Sequence, residues 1–295
     1  MFQWIDALAL RHSVLHAFAG TSGFLKALSE EYSKGHSRLA RLRISALTAQ
    51  TPAGISMSLG MFLSSFRGLQ SLLLQFNTSE KLYVDSIVHH GETPRTLCIV
   101  NGTIHRQDAT ASFDASDLLK VATDCPQLRQ LCLNLYEIDP DHNESDVLGP
   151  QADRLYTPNE FKQALSAIAS MPKLQVLRFT NPHNYRKAYH RPGDIVQYFQ
   201  RNLQSGIERQ GFQARADGIM RYSGEYGSNV KVLAFSPIEK LNKADNPDKN
   251  GHVWPDYYYS QGRTTDHKGR ATAVAVPLTN WKDDYASATI LEELT

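Results

Sequence analysis

The sequence predicts a mixed α/β chain: a solenoid of irregular helix–strand units sharing one parallel sheet, closed by a C-terminal cap. Three observations carry this reading. A phrase recurs: an apolar residue, two variable residues, Leu, one variable residue, then another apolar residue. Its clearest copies occupy residues 69–74, 128–133 and 174–179. Each follows a helix-like stretch and a short break. Finally, residues 118–128 align on 164–174 without a gap, helix, proline break (Pro126, Pro172) and strand in step.

In chain order, residues 1–36 read as an N-terminal helical cap. Thr21 or Ser22 can cap a helix carrying Phe24, Leu25, Leu28 and Tyr32 on one stripe, with Gly35 at its C-terminal end. Residues 37–240 hold the repeated units. The first copy is 39–44. A helix over 59–66 precedes the second copy, and the third is degraded, with Pro94 in its first slot, where the missing donor suits only a strand start. The fourth and fifth copies are the aligned pair, their helices ending before a proline that disfavours helical geometry in the residue ahead of it. Residues 195–211, then a polar Tyr/Gly/Ser stretch, lead to the sixth copy at 230–235. The central leucines are Leu42, Leu72, Leu97, Leu131, Leu177 and Leu233, and insertions such as 139–158 and 181–192 map to loops. Residues 241–295 form a C-terminal capping segment. They hold a polar run at 242–251, the aromatic cluster Trp254, Tyr257, Tyr258 and Tyr259, and a strand-like alternation over 271–277. Stacked units need such atypical ends.

Within each copy, the central leucine and the apolar residue two places on share one strand face, and one unit alone cannot bury it. The residues between them project from the other face. The slot after the leucine holds Arg43, Leu73, Cys98, Cys132, Arg178 and Ala234; the slot before it holds Arg41, Ser71, Thr96, Gln130, Val176 and Val232. This mixture suits a partner-binding surface. Arg41, Arg43, Leu73, Gln130, Cys132, Arg178 and Trp254 are therefore the candidate binding residues, beside the plainer reading of ordinary strand positions. Cys98 and Cys132 share a slot in consecutive copies, which predicts neighbouring free thiols.

The phrase at 69–74, 128–133 and 174–179, each behind a short helix, resembles leucine-rich repeats. The irregular spacing and the Cys-Pro and Met-Pro breaks are similar to the repeat regions of fungal F-box proteins. This resemblance covers residues 24–237 and implies a leucine-rich-repeat-like solenoid that recognises substrates for a ubiquitin ligase. The asparagine or cysteine usual after the strand is lacking, Thr180-Asn181 coming nearest. Residues 1–36 show no F-box, so the ligase-recruiting half of that role has no counterpart there.

Composition narrows the classes. The apolar fraction of 41% and charged fraction of 21% are those of a folded soluble protein. A net charge of +1 gives no bulk case for nucleic acid. No apolar run approaches the ~20 residues that span a bilayer. An early acid, Asp6, and the absence of a basic N-terminal region argue against a secretory signal, and three cysteines suit a reducing compartment. The expectation is a cytoplasmic or nuclear chain with a protein partner, binding neither nucleic acid nor membrane. The sequons at Asn77, Asn101 and Asn143 then read as chance.

No motif supports a cofactor, a metal or catalysis. HExxH, paired CxxC, GxSxG, P-loop and GxGxxG are all absent from the sequence. His89, His90, His183 and His190 read as solvated loop histidines. Residues 246–251 imitate a calcium loop but place Tyr257 where the bidentate Glu belongs. The leading expectation is thus a non-enzymatic protein–protein interaction scaffold. The rival is a hydrolase or metal-dependent enzyme using the C-terminal region around His252, Asp256 and His267.

Overall fold

The structure, a computed structural model, describes residues 9–16, 20–35, 37–45, 54–76, 82–101, 113–134, 159–180, 207–236, 252, 256–265 and 267–292. Helices and strands alternate: β1 (His12–His16), α1 (Thr21–Ser33), β2 (Arg41–Ser45), α2 (Ile55–Ser64), β3 (Ser71–Phe76), α3 (Val84–Val88), β4 (Thr96–Asn101) and α4 (Ala115–Asp124). There follow β5 (Gln130–Leu133), α5 (Asn159–Ala169), β6 (Val176–Phe179), α6 (Ile207–Glu225), β7 (Val232–Phe235), β8 (Tyr257–Thr265), β9 (Ala271–Pro277), α7 (Trp281–Asp284) and a 3₁₀ turn at Thr289–Leu291. Among the described residues the strands form one nine-stranded open sheet in sequence order. β1 to β7 are parallel, whereas β8 and β9 run antiparallel.

The register reproduces the repeated phrase. Leu42, Leu72, Leu97, Leu131, Leu177 and Leu233 are successive Cα partners across the sheet, and Tyr259 continues the row. Just before each strand the ladder repeats: Gln70 N–H donates to Ala40 O, Arg95 to Gln70, Arg129 to Arg95, Gln175 to Arg129 and Lys231 to Gln175, all at 2.8 Å. A one-residue slip would turn every central leucine to the opposite face, so burial of that row pins the register. The leucines pack with the inward stripes of α1 to α6, among them Leu25, Leu59, Phe62, Leu118, Leu165, Ile168 and Ile219. Consecutive helices lie side by side on this face. Truncating a leucine of the row to Ala costs about 2–5 kcal/mol by the general behaviour of cores.

Three expectations change. Residues 1–36 are not helical throughout, because β1 precedes α1 and pairs with β2, Ser13 facing Leu42. β1 is an additional, cryptic copy of the phrase with Ser in the leucine slot. The polar stretch after residue 211 is helix as far as Glu225. Phe212, Ala216, Ile219 and Met220 supply a buried stripe that overrides Gly218 and Gly224. α4 begins earlier than the apolar pattern suggests. The Asp114 carboxylate accepts from Asp117 N–H at 2.9 Å while Asp117 accepts from Asp114 N–H at 3.2 Å, a reciprocal cap.

At the C-terminal end, Tyr257 and Tyr259 enter the helix-side core, Tyr257 stacking on Phe212 at 4.2 Å. α6 also packs along β9. The Asp217 carboxylate accepts from Ala275 N–H at 2.8 Å, and the Gln213 amide donates to Ala275 O at 2.7 Å. Among the described residues no helix is long and apolar enough to cross a membrane.

Candidate functional site

Period-two alternation leaves the second face of the sheet in rows of non-core residues. The row before the central leucines runs His12, Arg41, Ser71, Thr96, Gln130, Val176 and Val232; the row after them runs Val14, Arg43, Leu73, Cys98, Cys132, Arg178 and Ala234. This face has two halves that differ in what lies on them.

Over β4 to β8 the face is covered by the chain itself. After β9 the chain turns back, and Leu278, Trp281, Ala288, Ile290 and Leu291 pack on Cys98, Val100, Cys132, Val176, Val232, Ala234 and Tyr258 as a second apolar core. Two polar side chains hold the backbone of this strap. The Gln130 amide nitrogen donates to Ser287 O at 2.7 Å, and its oxygen accepts from Ile290 N–H at 3.2 Å. Arg178, fully buried, donates to Ser236 O at 2.9 Å, Ile290 O at 2.5 Å and Glu292 O at 3.2 Å. Ser236 relays this site to Asp256, its hydroxyl donating to the carboxylate at 2.5 Å. A fork of guanidinium donors suits carbonyls arriving from two directions, which a lysine could not serve together.

Gln130, Cys132 and Arg178 are therefore not open binding positions. They are the floor and clamps of an intramolecular seat, which corrects the expectation from their slots. The thiols of Cys98 and Cys132 are neighbours, as the shared slot predicts, and both are buried. Their mutual hydrogen bond, then burial, pushes the Cys98 thiol well up. Burial, with Asp124 nearby, pushes Cys125 up to about 12.

Over β1 to β3 the same face is open. Val14 is 60% exposed, Arg41 is exposed, and Arg43 and Leu73 are half-buried. His12 and His16 are exposed as well, the His16 Nδ1 lying 3.1 Å from the Ser45 hydroxyl. None of the described slot residues of these three strands is acidic. Arg41 and Arg43 thus share one exposed surface with Val14, His12 and His16, while Leu73, half-buried, packs at the edge of the strap's apolar core. The β1 residues went unread because Ser13 breaks the leucine signature, though Leu10 and Leu15 keep its outer positions. Trp254 lies outside the described residues, as do His183, His190, the loop at 246–251 and the insertions at 139–158 and 181–192.

The histidine expectation also changes. His90 is buried, its Nδ1 accepting from Leu69 N–H at 3.4 Å and its ring packed on Phe66. Burial, then the neighbouring His89 and Arg67, lowers its pKa to about 4. His252 is buried between the rings of Tyr257 and Tyr259, with Nε2 2.9 Å from Tyr258 O. His267 is exposed at the far end of the β8–β9 hairpin. At ~3.4 Å per residue, β8 carries that end about 27 Å from Tyr257. Asp256 meanwhile bonds Ser236, so His252, Asp256 and His267 do not converge on one site. No group of three or more His, Cys, Asp or Glu side chains among the described residues is placed to hold a metal ion.

Compared with known proteins, the chain matches no family model and no curated protein.

Proposed function

We propose that this chain is a non-enzymatic interaction scaffold whose sheet is that of a leucine-rich-repeat-like solenoid, and that it captures a protein partner on the strand face of β1 to β3. The observation that supports this most is the division of one face. Where the strap lies, apolar slots pack under it while Gln130 and Arg178 clamp its backbone; where it does not, Arg41 and Arg43 stand beside Val14 with no acidic slot residue, and Leu73 marks the boundary. A partner segment alternating apolar and acidic side chains complements that surface. Arginine and apolar anchors are also the groups that concentrate binding energy in interfaces.

The test is affinity capture with the wild-type chain and an Arg41→Glu/Arg43→Glu variant. Specific partners should be lost from the variant while thermal stability is kept; an unchanged set of partners would remove this face from consideration. The finer reading, a substrate-recognition element of a ubiquitin ligase inside the cell, rests on the resemblance to fungal F-box repeat regions. It predicts ligase subunits among the proteins captured by the wild-type chain.

A further inference from the structure

Among the described residues α6 is the last helix on the core side of the sheet, and it packs along β9. Between its C-terminal end and the β8–β9 hairpin lies a cleft of about 900 Å³. Its wall is basic: among the described residues Arg221 from α6, Lys231 ahead of β7, Arg263 from β8 and Arg270 ahead of β9 line it, against one carboxylate, that of Glu225. Arg221, Lys231 and Arg263 are exposed and make no ion pair among the described residues. The placement follows from register. Arg263 lies on β8 two and four places beyond Gln261 and Tyr259, so it shares their helix-side face, and Gln261 N–H donates to Lys231 O at 2.8 Å. α6 approaches the hairpin closely at Gly224, where a Cβ would stand 2.9 Å from that of Ala273. This contact fixes Arg221 against the strands.

We propose that this cleft is a second binding site, for an acidic segment of a protein partner. Like charges gathered on one concavity raise its potential and favour an anionic ligand. Arginine is among the side chains enriched in protein interfaces. In the row of the backbone ladder that contains Lys231, Gln175 comes next and Arg129 and Arg95 follow on the strands beyond it, all exposed, so further basic side chains lie along the sheet end past one amide. Cations spread over that length suit an extended chain more than a small anion. The cleft lies on the helix side, away from Arg41 and Arg43, so the two surfaces are independent.

The probe is a fluorescein-labelled peptide of alternating glutamate and alanine, followed by anisotropy with the full chain. An Arg221→Glu/Arg263→Glu variant should bind it at least roughly tenfold more weakly, as expected when two charge contacts become repulsions. Glu225→Gln should tighten it, and Arg41→Glu should leave it unchanged. Should the reversal fail to fold, the neutral Arg221→Gln/Arg263→Gln pair, with circular dichroism as the folding check, gives a smaller loss in the same direction. Equal binding by wild type and both pairs overturns the proposal. So does tighter binding of a single-stranded oligonucleotide than of the peptide, which assigns the cleft to nucleic acid.

Discussion

The Arg178 guanidinium donates to the Ile290 carbonyl at 2.5 Å, joining residues 112 positions apart. A charge in the middle of a strand reads as solvated, yet this one is buried by the chain's own end. Arg178→Met fills the volume but leaves the Ser236 and Ile290 carbonyls without their donor. Unsatisfied buried acceptors cost about 1–3 kcal/mol each, so a loss of about 3 kcal/mol is expected in urea unfolding. Arg41→Glu on the open half should change stability by less than about 0.5 kcal/mol. Equal effects at the two positions would contradict the division of the face.

Gln130 tests the strap more gently. Gln130→Ala removes two backbone contacts to residues 287–290 and leaves β5 paired on both sides. At about 1 kcal/mol for each hydrogen bond, amide exchange in residues 287–291 should accelerate about 30-fold. Protection of Leu131 and Leu177 should not move. Simultaneous loss of protection in both regions would mean that strap and sheet open as one unit.

His90 makes stability depend on pH. Its folded pKa of about 4 lies below the ordinary 6.5, so the unfolded chain binds more protons between those values. Its neutral, buried form is fully compatible with the fold above about pH 6.5. Stability declines as pH falls from there through 4, by up to about 3 kcal/mol in all. His90→Gln keeps an acceptor for Leu69 N–H but has no proton to gain. The difference in unfolding free energy between wild type and variant should therefore shrink or invert from pH 7 to pH 4.5; a constant difference would show that His90 does not titrate in this range.

The three cysteines are buried; the hydrogen bond with Cys132, then burial, holds the Cys98 thiol in its protonated form at neutral pH, and burial does the same for Cys125. Iodoacetamide should leave all three unmodified in the native chain and label all three in urea. Rapid labelling of Cys98 and Cys132 alone in the native chain would reveal opening of the strap above them.

Much of the sheet was legible because the phrase has period two and the leucine row is buried. Those features place Leu42 opposite Leu72, and Leu131 opposite Leu177, without knowledge of the helices. The Cys98–Cys132 pairing followed from the same arithmetic. Two features were illegible for different reasons. β1 carries Ser13 where its neighbours carry leucine, so tertiary pairing supplies what the local pattern lacks. The strap depends on contacts between residues 112 to 160 positions apart, such as Arg178 and Gln130 with Ile290, and no local periodicity encodes these. Of the candidate residues, Arg41 and Arg43 lie on the open half of the face, Leu73 at its boundary, and Gln130, Cys132 and Arg178 beneath residues 278–292.

A ladder of near-identical units carries an inherent hazard, since its last strand presents the same template that accepted the strand before it. The helix α6 interrupts that template at one end. Asp217 and Gln213 take both the N–H and the carbonyl of Ala275, so a tenth strand from another molecule would have to displace them at the middle of β9. An Asp217→Ala/Gln213→Ala chain would keep its leucine row yet lose its terminator, and concentration-dependent fibrils or oligomers would be the sign of it.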